Sequence, residues 1–513
     1  MRLLITKYSH HFTVTRIEPV TEQILVGYSR ALTSYTVTRQ HNGDVISTPH
    51  RTFAERSNYP RTYRFHIEQF NAFCEYLKGF GAEYDVVEIP LYKPRKETFK
   101  LNPVFIPRDY QEPIIDYICS DGGYKRIITL QTGLGKTAVL LFAVAKLNVR
   151  TVLVFQPKYF ERWLDDLSIS KDNDPMLPLK DGTELITVQG SAELRSVILL
   201  AQCDELEAKL IMISATTYFQ YLTHYRDFGP DDKYANINPI DLWELLGVGL
   251  VGIDEGHENF HALFRMDLYT HTPLTVTLSA TLEPDDVFIK QMYQVLYPER
   301  LRMNGGNYIR YADMLSVPYT QHPDKDRLKI SWKGRRDYSQ LAYEQDILED
   351  KNNERFDAMM DMIQYDIDNY FLKQRHEKFK LLIFFDTVDM CVRVSERLAD
   401  RYPDMLVGKY TAEESYDVLS QLEIIVATTK SADTCVDIPN LQMVFCFVAR
   451  GSTQANLQMF GRLRQLKTDK VRPVFLYYRC LDIVQHNNYH AKRMEIFGGK
   501  TLTMNDRKTH FVI

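Results

Sequence analysis

The sequence predicts an α/β chain, two parallel sheets in tandem behind a small N-terminal α+β region, and three observations predict it. From about residue 104 onward, short apolar β-favouring runs alternate with helical patterns, the order that builds a parallel sheet with crossover helices. Those runs fall into two blocks, separated by Gly305-Gly306 and the charged stretch 322–336. Before residue 100 the runs are shorter and alternate apolar with polar residues, and Asn42-Gly43-Asp44 marks a turn between two of them.

Taken in order, residues 1–100 read as the small α+β domain. Phe12–Thr15, Ile24–Val26, Tyr35–Thr38 and Tyr84–Ile89 are strand-like, and Phe70–Lys78 is helical. Pro90, Pro94 and Pro103, set among Lys93, Arg95, Lys96 and Lys100, read as its exit linker. Residues 101–318 hold the first block, with expected buried strands at Ile127–Leu130, Thr151–Phe155, Leu210–Ile213, Leu250–Ile253 and Thr275–Leu278. Residues 319–513 hold the second, with strands at Lys380–Phe385, Ile424–Ala427, Met443–Phe447 and Val474–Tyr477. A helix is expected over Val388–Tyr402, and a helical tail at the C-terminal end.

Composition narrows the classes. At 513 residues, 45% apolar and 25% charged, the chain has material for about three globular domains. No apolar run reaches the ~18 residues a membrane helix needs. Charge and His10-His11 interrupt the N-terminal residues, so no signal peptide is expected. Seven scattered cysteines without a Cys-x-x-Cys pair argue for reduced thiols, a cytoplasmic setting and no structural zinc. The net charge of −5 is uneven: residues 1–100 carry 14 Lys and Arg against 10 Asp and Glu. A mildly basic appendage on an acidic body is compatible with nucleic-acid binding, and equally with an ordinary solvated surface.

One stretch carries chemistry by its spacing. In Arg126–Thr137 an apolar strand runs into a glycine turn closed by Lys136 and Thr137, and good helix formers follow. That is a P-loop, whose backbone N–H groups and helix N-terminus cradle phosphate. Thr132, Gly133, Leu134, Gly135, Lys136 and Thr137 are the expected ATP-binding residues, Lys136 reaching the terminal phosphates and the Thr137 hydroxyl holding Mg²⁺. Leu130 stands where the usual pattern has its first glycine. Asp254-Glu255-Gly256-His257 follows the run Leu250–Ile253, 118 residues after Lys136. A carboxylate at the end of a parallel strand lies where such sheets bind ligands. Asp254 is expected to position Mg²⁺, and Glu255 to orient and deprotonate the attacking water.

With these residues in view, the chain resembles a superfamily 2 DExH-box helicase or translocase, in motifs spanning roughly 104–480. Arg108-Asp-Tyr-Gln111 resembles the Q motif, in which Arg108 and Gln111 would read adenine. Gln131–Thr137 resembles motif I and Val152–Pro157 motif Ia, with Trp163 beyond. Ile211–Thr217 resembles a strand-end motif touching the nucleic-acid backbone. Asp254–His257 resembles motif II, and Ser279-Ala-Thr281 resembles motif III, although alone it would read as a helix cap. Leu382–Phe385 resembles motif IV, Ile425–Thr428 through Asp437 motif V, and Gln458–Arg464 motif VI.

The resemblance implies tandem RecA-like domains, ATP and Mg²⁺ as cofactors, and catalytic roles for Lys136, Asp254, Glu255, Gln458, Arg462 and Arg464. It implies ATP contact by Asp437 and coupling by Ser279, Thr281 and His257. It also implies nucleic-acid contact by Pro157, Thr217 and Thr428. Arg462 and Arg464 lie two apart where many relatives space the pair by three, and either serves as the arginine finger. Cys435 replaces a usual glycine and reads as a buried thiol. A nearer resemblance is to the phage UvsW-type DNA helicases, through the small N-terminal domain and a C-terminal helix with Tyr489, His490, Lys492 and Arg493. It implies remodelling of duplex or branched DNA in recombination and fork repair, with replication or recombination proteins as partners, in the cytoplasm of a phage-infected bacterium. The alternatives are an RNA-dependent ATPase of the same fold, and an ATP-regulated duplex clamp that does not unwind. A restriction-system motor lacks any nuclease constellation here.

Overall fold

Alternating burial along the first strands sets the N-terminal architecture. Leu3, Ile5, Phe12 and Val14 are fully buried and face Phe73 and Leu77 of the helix Phe70–Gly79. Five strands form the sheet, in the order Glu55–Asn58, Arg61–His66, His11–Thr15, Leu3–Lys7, Tyr84–Glu88; only the last pair is parallel. A separate antiparallel pair joins Thr33–Arg39 to Val45–Thr52. This is a computed structural model describing residues 2–39, 45–58, 61–131, 133–169, 174–258, 260–280, 286–305, 309–323, 327–332, 337–375, 378–411, 414–415, 417–431, 438–466, 471–508 and 510–513. The expected turn at Asn42-Gly43-Asp44 lies outside them.

One expected strand is a helix. Ile24-Leu25-Val26 lies within Pro19–Arg30, where Pro19 opens the first turn and the Glu18 N–H donates to Thr21 Oγ1 at 2.8 Å. Only Leu25 of the three is fully buried, so the helical period outweighs a local apolar run. The proline-marked segment after residue 89 is tied down along its length. Arg95 N–H donates to Gly247 O at 2.9 Å, Glu97 N–H to Asn148 O at 2.9 Å, and Arg150 N–H to Arg95 O at 3.0 Å.

Residues 1–306 form one compact unit, in which the N-terminal sheet and the first parallel sheet share a continuous apolar core. The join is also polar. His66 Nδ1 lies 2.6 Å from Asp267 Oδ2, and Lys125 Nζ donates to the same carboxylate at 3.2 and 3.3 Å. Nearby, Arg265 and Tyr269 both donate to buried Glu55, and Phe53 packs edge-on against Phe264 at 4.3 Å. The parallel sheet runs Leu185–Val188, Leu210–Ser214, Thr151–Phe155, Leu250–Ile253, Thr275–Ser279, Lys125–Thr129, Arg302–Asn304. Its central strands are buried throughout, as a parallel sheet with helices on both faces requires.

Residues 307–513 form the second unit, another all-parallel sheet. Its order is Val407–Tyr410, Ile424–Thr428, Lys380–Phe385, Leu441–Cys446, Val474–Cys480, Asp313–Thr320, Met504–Asp506, with Phe511–Val512 also pairing to Asp313–Thr320. The chain therefore carries two all-parallel sheets in tandem, as expected, with a small N-terminal mixed sheet. The helix Val484–Phe497 is no loose tail. Arg493 is buried, donates to Asn456 Oδ1 and Val448 O at 2.7 Å each, and lies over the Tyr477 ring. His490 Nδ1 meets the Tyr477 hydroxyl at 2.6 Å. Among the described residues, no helix is long and apolar enough to cross a membrane.

Candidate active site

The strand Lys125–Thr129 delivers the chain to the phosphate-binding turn. Gly133 and Gly135 sit at φ 89° and 79°, a left-handed backbone that a side chain would strain. Gly135 caps the helix Lys136–Leu147, whose N-terminus points its free N–H groups at the turn. A Cβ on Gly135 would also come within 2.7 Å of Gln111 Nε2. That amide donates to Leu134 O at 3.0 Å, and the Tyr110 hydroxyl donates to the same carbonyl at 3.1 Å. Arg108 Nη1 donates to the Tyr110 oxygen at 3.0 Å. The Arg108–Gln111 segment thus braces the loop as well as flanking it, and Tyr110 is a brace that the sequence did not mark. Thr132 lies outside the described residues.

Leu130 is explained by its packing. It is buried, and a Cβ on Gly305 would fall 2.3 Å from Leu130 Cδ1, so Gly305 leaves the space that Leu130 occupies.

Leu250–Ile253 ends at the acidic loop. Asp254 Oδ1 accepts the Glu255 N–H at 2.9 Å and Oδ2 accepts the Trp163 indole N–H at 3.1 Å. Burial and the adjacent Glu255 push the Asp254 carboxyl up to about 6. Glu255 holds φ 46°, and a Cβ on Gly256 would meet Thr277 Cγ2 at 2.4 Å, so the loop turns tightly against the next strand. The Glu255 carboxylate pairs with the Lys136 ammonium. Burial raises its pKa, but Lys136 and His257 outweigh that and hold it below its ordinary value. His257 Nδ1 lies 3.2 Å from Glu255 Oε2 and 3.1 Å from Ser279 Oγ. Among the described residues, Glu255 Oε2 is a buried oxygen with no hydrogen-bond donor. Burial lowers the His257 pKa.

The loop, the lysine and the two carboxylates fit a magnesium nucleotide. The turn offers an N–H cradle, Asp254 is a half-buried carboxylate at a strand end, and Glu255 Oε2 is an acceptor with no donor among the described residues. Among the described residues, no cluster of three or more His, Cys, Asp and Glu is arranged as an all-protein metal cage.

The other expected residues are less concentrated. Ser279 is buried beside His257, while Thr281 lies outside the described residues. Pro157 is exposed at the start of a short turn, whereas Thr217 is buried and its neighbour Thr216 is exposed. In the second unit Thr428 is buried, its hydroxyl 2.7 Å from Ser431 Oγ. Asp437 and Cys435 lie outside the described residues. Gln458 sits in the helix Thr453–Phe460, and its carbonyl accepts from Arg462 Nε at 3.4 Å. Arg462 is buried, and Arg464 is half-buried, donating to Gly461 O and Leu463 O.

A polar cluster in that unit was not anticipated. Arg450 donates to Asp386 at 2.8 and 2.9 Å, as does the Thr429 hydroxyl. Behind it Glu344 accepts from Asp386 N, Thr387 N and Thr387 Oγ1, and burial pushes its carboxyl up to about 7. Glu344 carries no motif and lies 42 residues from Asp386, so no local pattern marks it.

No family model and no curated protein matches the chain. Among solved structures it is similar to the Mycobacterium smegmatis helicase Lhr bound to ssDNA and AMP-PNP, at 16% identity over 78% of this chain and 49% of that one, with a TM-score of 0.48. It is also similar to Mss116p bound to ssRNA and AMP-PNP, at 13% identity over 78% and 74% of the two chains, TM-score 0.48. A third is S. cerevisiae Dbp5 bound to RNA and ADP BeF3, at 12% identity over 78% and 89%, TM-score 0.45. The chain spans about half the length of the Lhr chain.

Proposed function

We propose that this protein hydrolyses ATP and uses the energy to move on, or remodel, duplex or branched DNA. The observation that carries the reading is the pairing of Lys136 with Glu255 beside a left-handed glycine turn. The two residues follow the strands Lys125–Thr129 and Leu250–Ile253, with Thr275–Ser279 between them, and their meeting supports reading Lys136 as the phosphate-binding cation and Glu255 as the base beside an N–H cradle.

The site's own residues divide the work. Gly133, Gly135 and the helix N-terminus receive phosphate oxygens, and Lys136 exchanges Glu255 for the terminal phosphates. Glu255, then released, accepts a proton from the attacking water through its donor-free oxygen. Asp254 and Thr137 would hold Mg²⁺, which neutralises phosphate charge when bound. Arg108 and Gln111 contact the base. Arg462 or Arg464 supplies the transition-state cation, with Gln458 on the helix just before it, and Asp437 contacts ATP. Ser279, His257 and Thr281 couple the chemistry to movement, and Pro157, Thr217 and Thr428 belong to the strand-contacting segments. Phosphate contacts of that kind make binding salt-dependent and insensitive to sequence.

The test is the rate of ATP hydrolysis with no nucleic acid, and with single-stranded, duplex, forked and four-way DNA and single-stranded RNA. Stimulation by duplex or junction DNA, with strand separation or branch migration, is expected. Stimulation by RNA alone would move the protein to the RNA-dependent class. Stimulation without strand separation would leave a clamp.

A further inference from the structure

The short turn Pro157–Tyr159 and the helix Phe160–Leu167 that continues it grip the acidic loop at both ends. At the front, the Trp163 indole N–H donates to Asp254 Oδ2 at 3.1 Å. The indole is 2% exposed and lies parallel to the Phe155 ring at 5.7 Å, and Phe155 in turn meets Phe160 edge-on at 4.8 Å. At the back, the Tyr159 hydroxyl donates to Glu258, and Lys158 Nζ lies 2.9 Å from Glu258 Oε2. Between those two grips lies the left-handed Glu255 and the crowded Gly256, so the loop has little freedom of its own. Lys158 is 45% exposed and Pro157 is exposed, whereas Glu258 is only 12% exposed. One end of this strut faces solvent and the other holds a carboxylate.

We propose that Trp163 is a positioning residue for Asp254, and that a nucleic-acid phosphate drawing Lys158 away from Glu258 is transmitted to Asp254 through this helix. This rests on the ATP-hydrolysing, strand-binding reading above. An ammonium offered a phosphate in place of a carboxylate keeps its charge partner, so the exchange costs little. Tyr159 and Lys158 precede Trp163 on the same continuous turn, so a shift at one is felt at the other. A hydrogen bond to an ionised carboxylate is directional, so its loss leaves Asp254 free to rotate.

Trp163→Phe keeps the aromatic stack and removes only the donor. Magnesium-dependent ADP binding, followed by calorimetry across a magnesium titration, should then require about tenfold more Mg²⁺ for half-saturation, a loss typical of one charge-assisted hydrogen bond. Binding in excess EDTA should be unchanged, which a merely structural defect would not leave so. Tryptophan emission gives the second readout. In a Trp332→Phe background the remaining indoles are Trp163 and the fully buried Trp243. Adding a single-stranded oligonucleotide should change the emission, and Lys158→Gln should abolish that change while the melting temperature stays put. Equal magnesium dependence in wild type and Trp163→Phe would overturn the positioning role. An unaltered oligonucleotide response in Lys158→Gln would overturn the transmission. If the wild type binds no magnesium nucleotide at all, it is the parent reading that fails.

Discussion

Lys136 and Glu255 hold each other, and that pairing sets what their removal should do. Lys136→Ala should weaken ATP binding and abolish hydrolysis, because a phosphate partner is lost. Glu255→Gln keeps shape and hydrogen-bonding capacity but removes the base, so kcat should fall by ~10²–10⁴ with nucleotide affinity largely kept. Steady-state rates with equilibrium nucleotide binding separate the two, and near-normal turnover in Glu255→Gln would remove it as the base. Arg464, half-buried, and Arg462, buried, should also differ. Arg464→Ala is expected to lower kcat with KM little changed, whereas Arg462→Ala should also lower the melting temperature. The reverse pattern would make Arg462 the finger. At this scale the sequence marked two stretches by residue types at fixed offsets, Gly133 to Thr137 and Asp254 to His257, and the fold brings Lys136 of one against Glu255 of the other. The sequence was silent on Glu344 and marked Trp163 only as lying beyond a motif, not as a partner of Asp254; those partners lie 42 and 91 residues away and meet only through folding. Thr217 shows a further limit: the strand-end motif was placed, but which of two adjacent threonines faces solvent depends on the first turn of a helix.

Among the elements, strands were legible because a buried parallel strand is a short unbroken apolar run; Leu250–Ile253 and Lys380–Phe385 have the expected bounds. Strands whose sequence alternates or is brief, such as Asp313–Thr320 and Met504–Asp506, gave no such run. The N-terminal sheet is the element whose reading changes most. Its basic charge invites the view of a detachable substrate module, yet it is knotted to the first parallel sheet through Asp267. There Lys125 and His66 share one buried carboxylate. Asp267→Asn leaves the Lys125 ammonium buried without a countercharge and should cost about 3–5 kcal/mol, read by chemical denaturation. Deleting residues 1–100 would uncover Phe260, Phe264 and Tyr269, which pack against Phe53, Arg64 and Glu55, so the truncated chain should aggregate rather than behave as a bare motor. A soluble, cooperatively folding truncation would restore the detachable-module view.

For the molecule as a whole, each unit has its own apolar core, so 307–513 made alone should give a single cooperative melt. The first unit should be acid-sensitive in a defined window. Burial lowers His10 to about 3 and His66 to about 4, so both stay neutral when folded. As pH falls below ~6.5 the unfolded chain takes up protons that the folded chain refuses until about 4, and stability is lost across that range. The raised Asp254 opposes this in part, while the lowered Asp267 adds its loss only below its ordinary value. Melting temperatures of residues 1–306 at pH 7, 6 and 5 should therefore fall in order, and a flat profile would contradict the buried neutral histidines.

Leu130 and Gly305 are one decision written at two places in the chain. A search pattern that insists on glycine at the head of the phosphate loop passes over this protein, although the loop that follows is built as usual. The leucine is accommodated because a residue 175 positions later has no side chain. The two sites should therefore drift together through descent. A library randomising both, selected for folding, should return large-with-small and small-with-small pairs and exclude large-with-large ones; Gly305→Ala alone should cost about 1–3 kcal/mol. Free combination at the two positions would mean that the turn moves aside at no expense, and that the missing glycine needs another explanation.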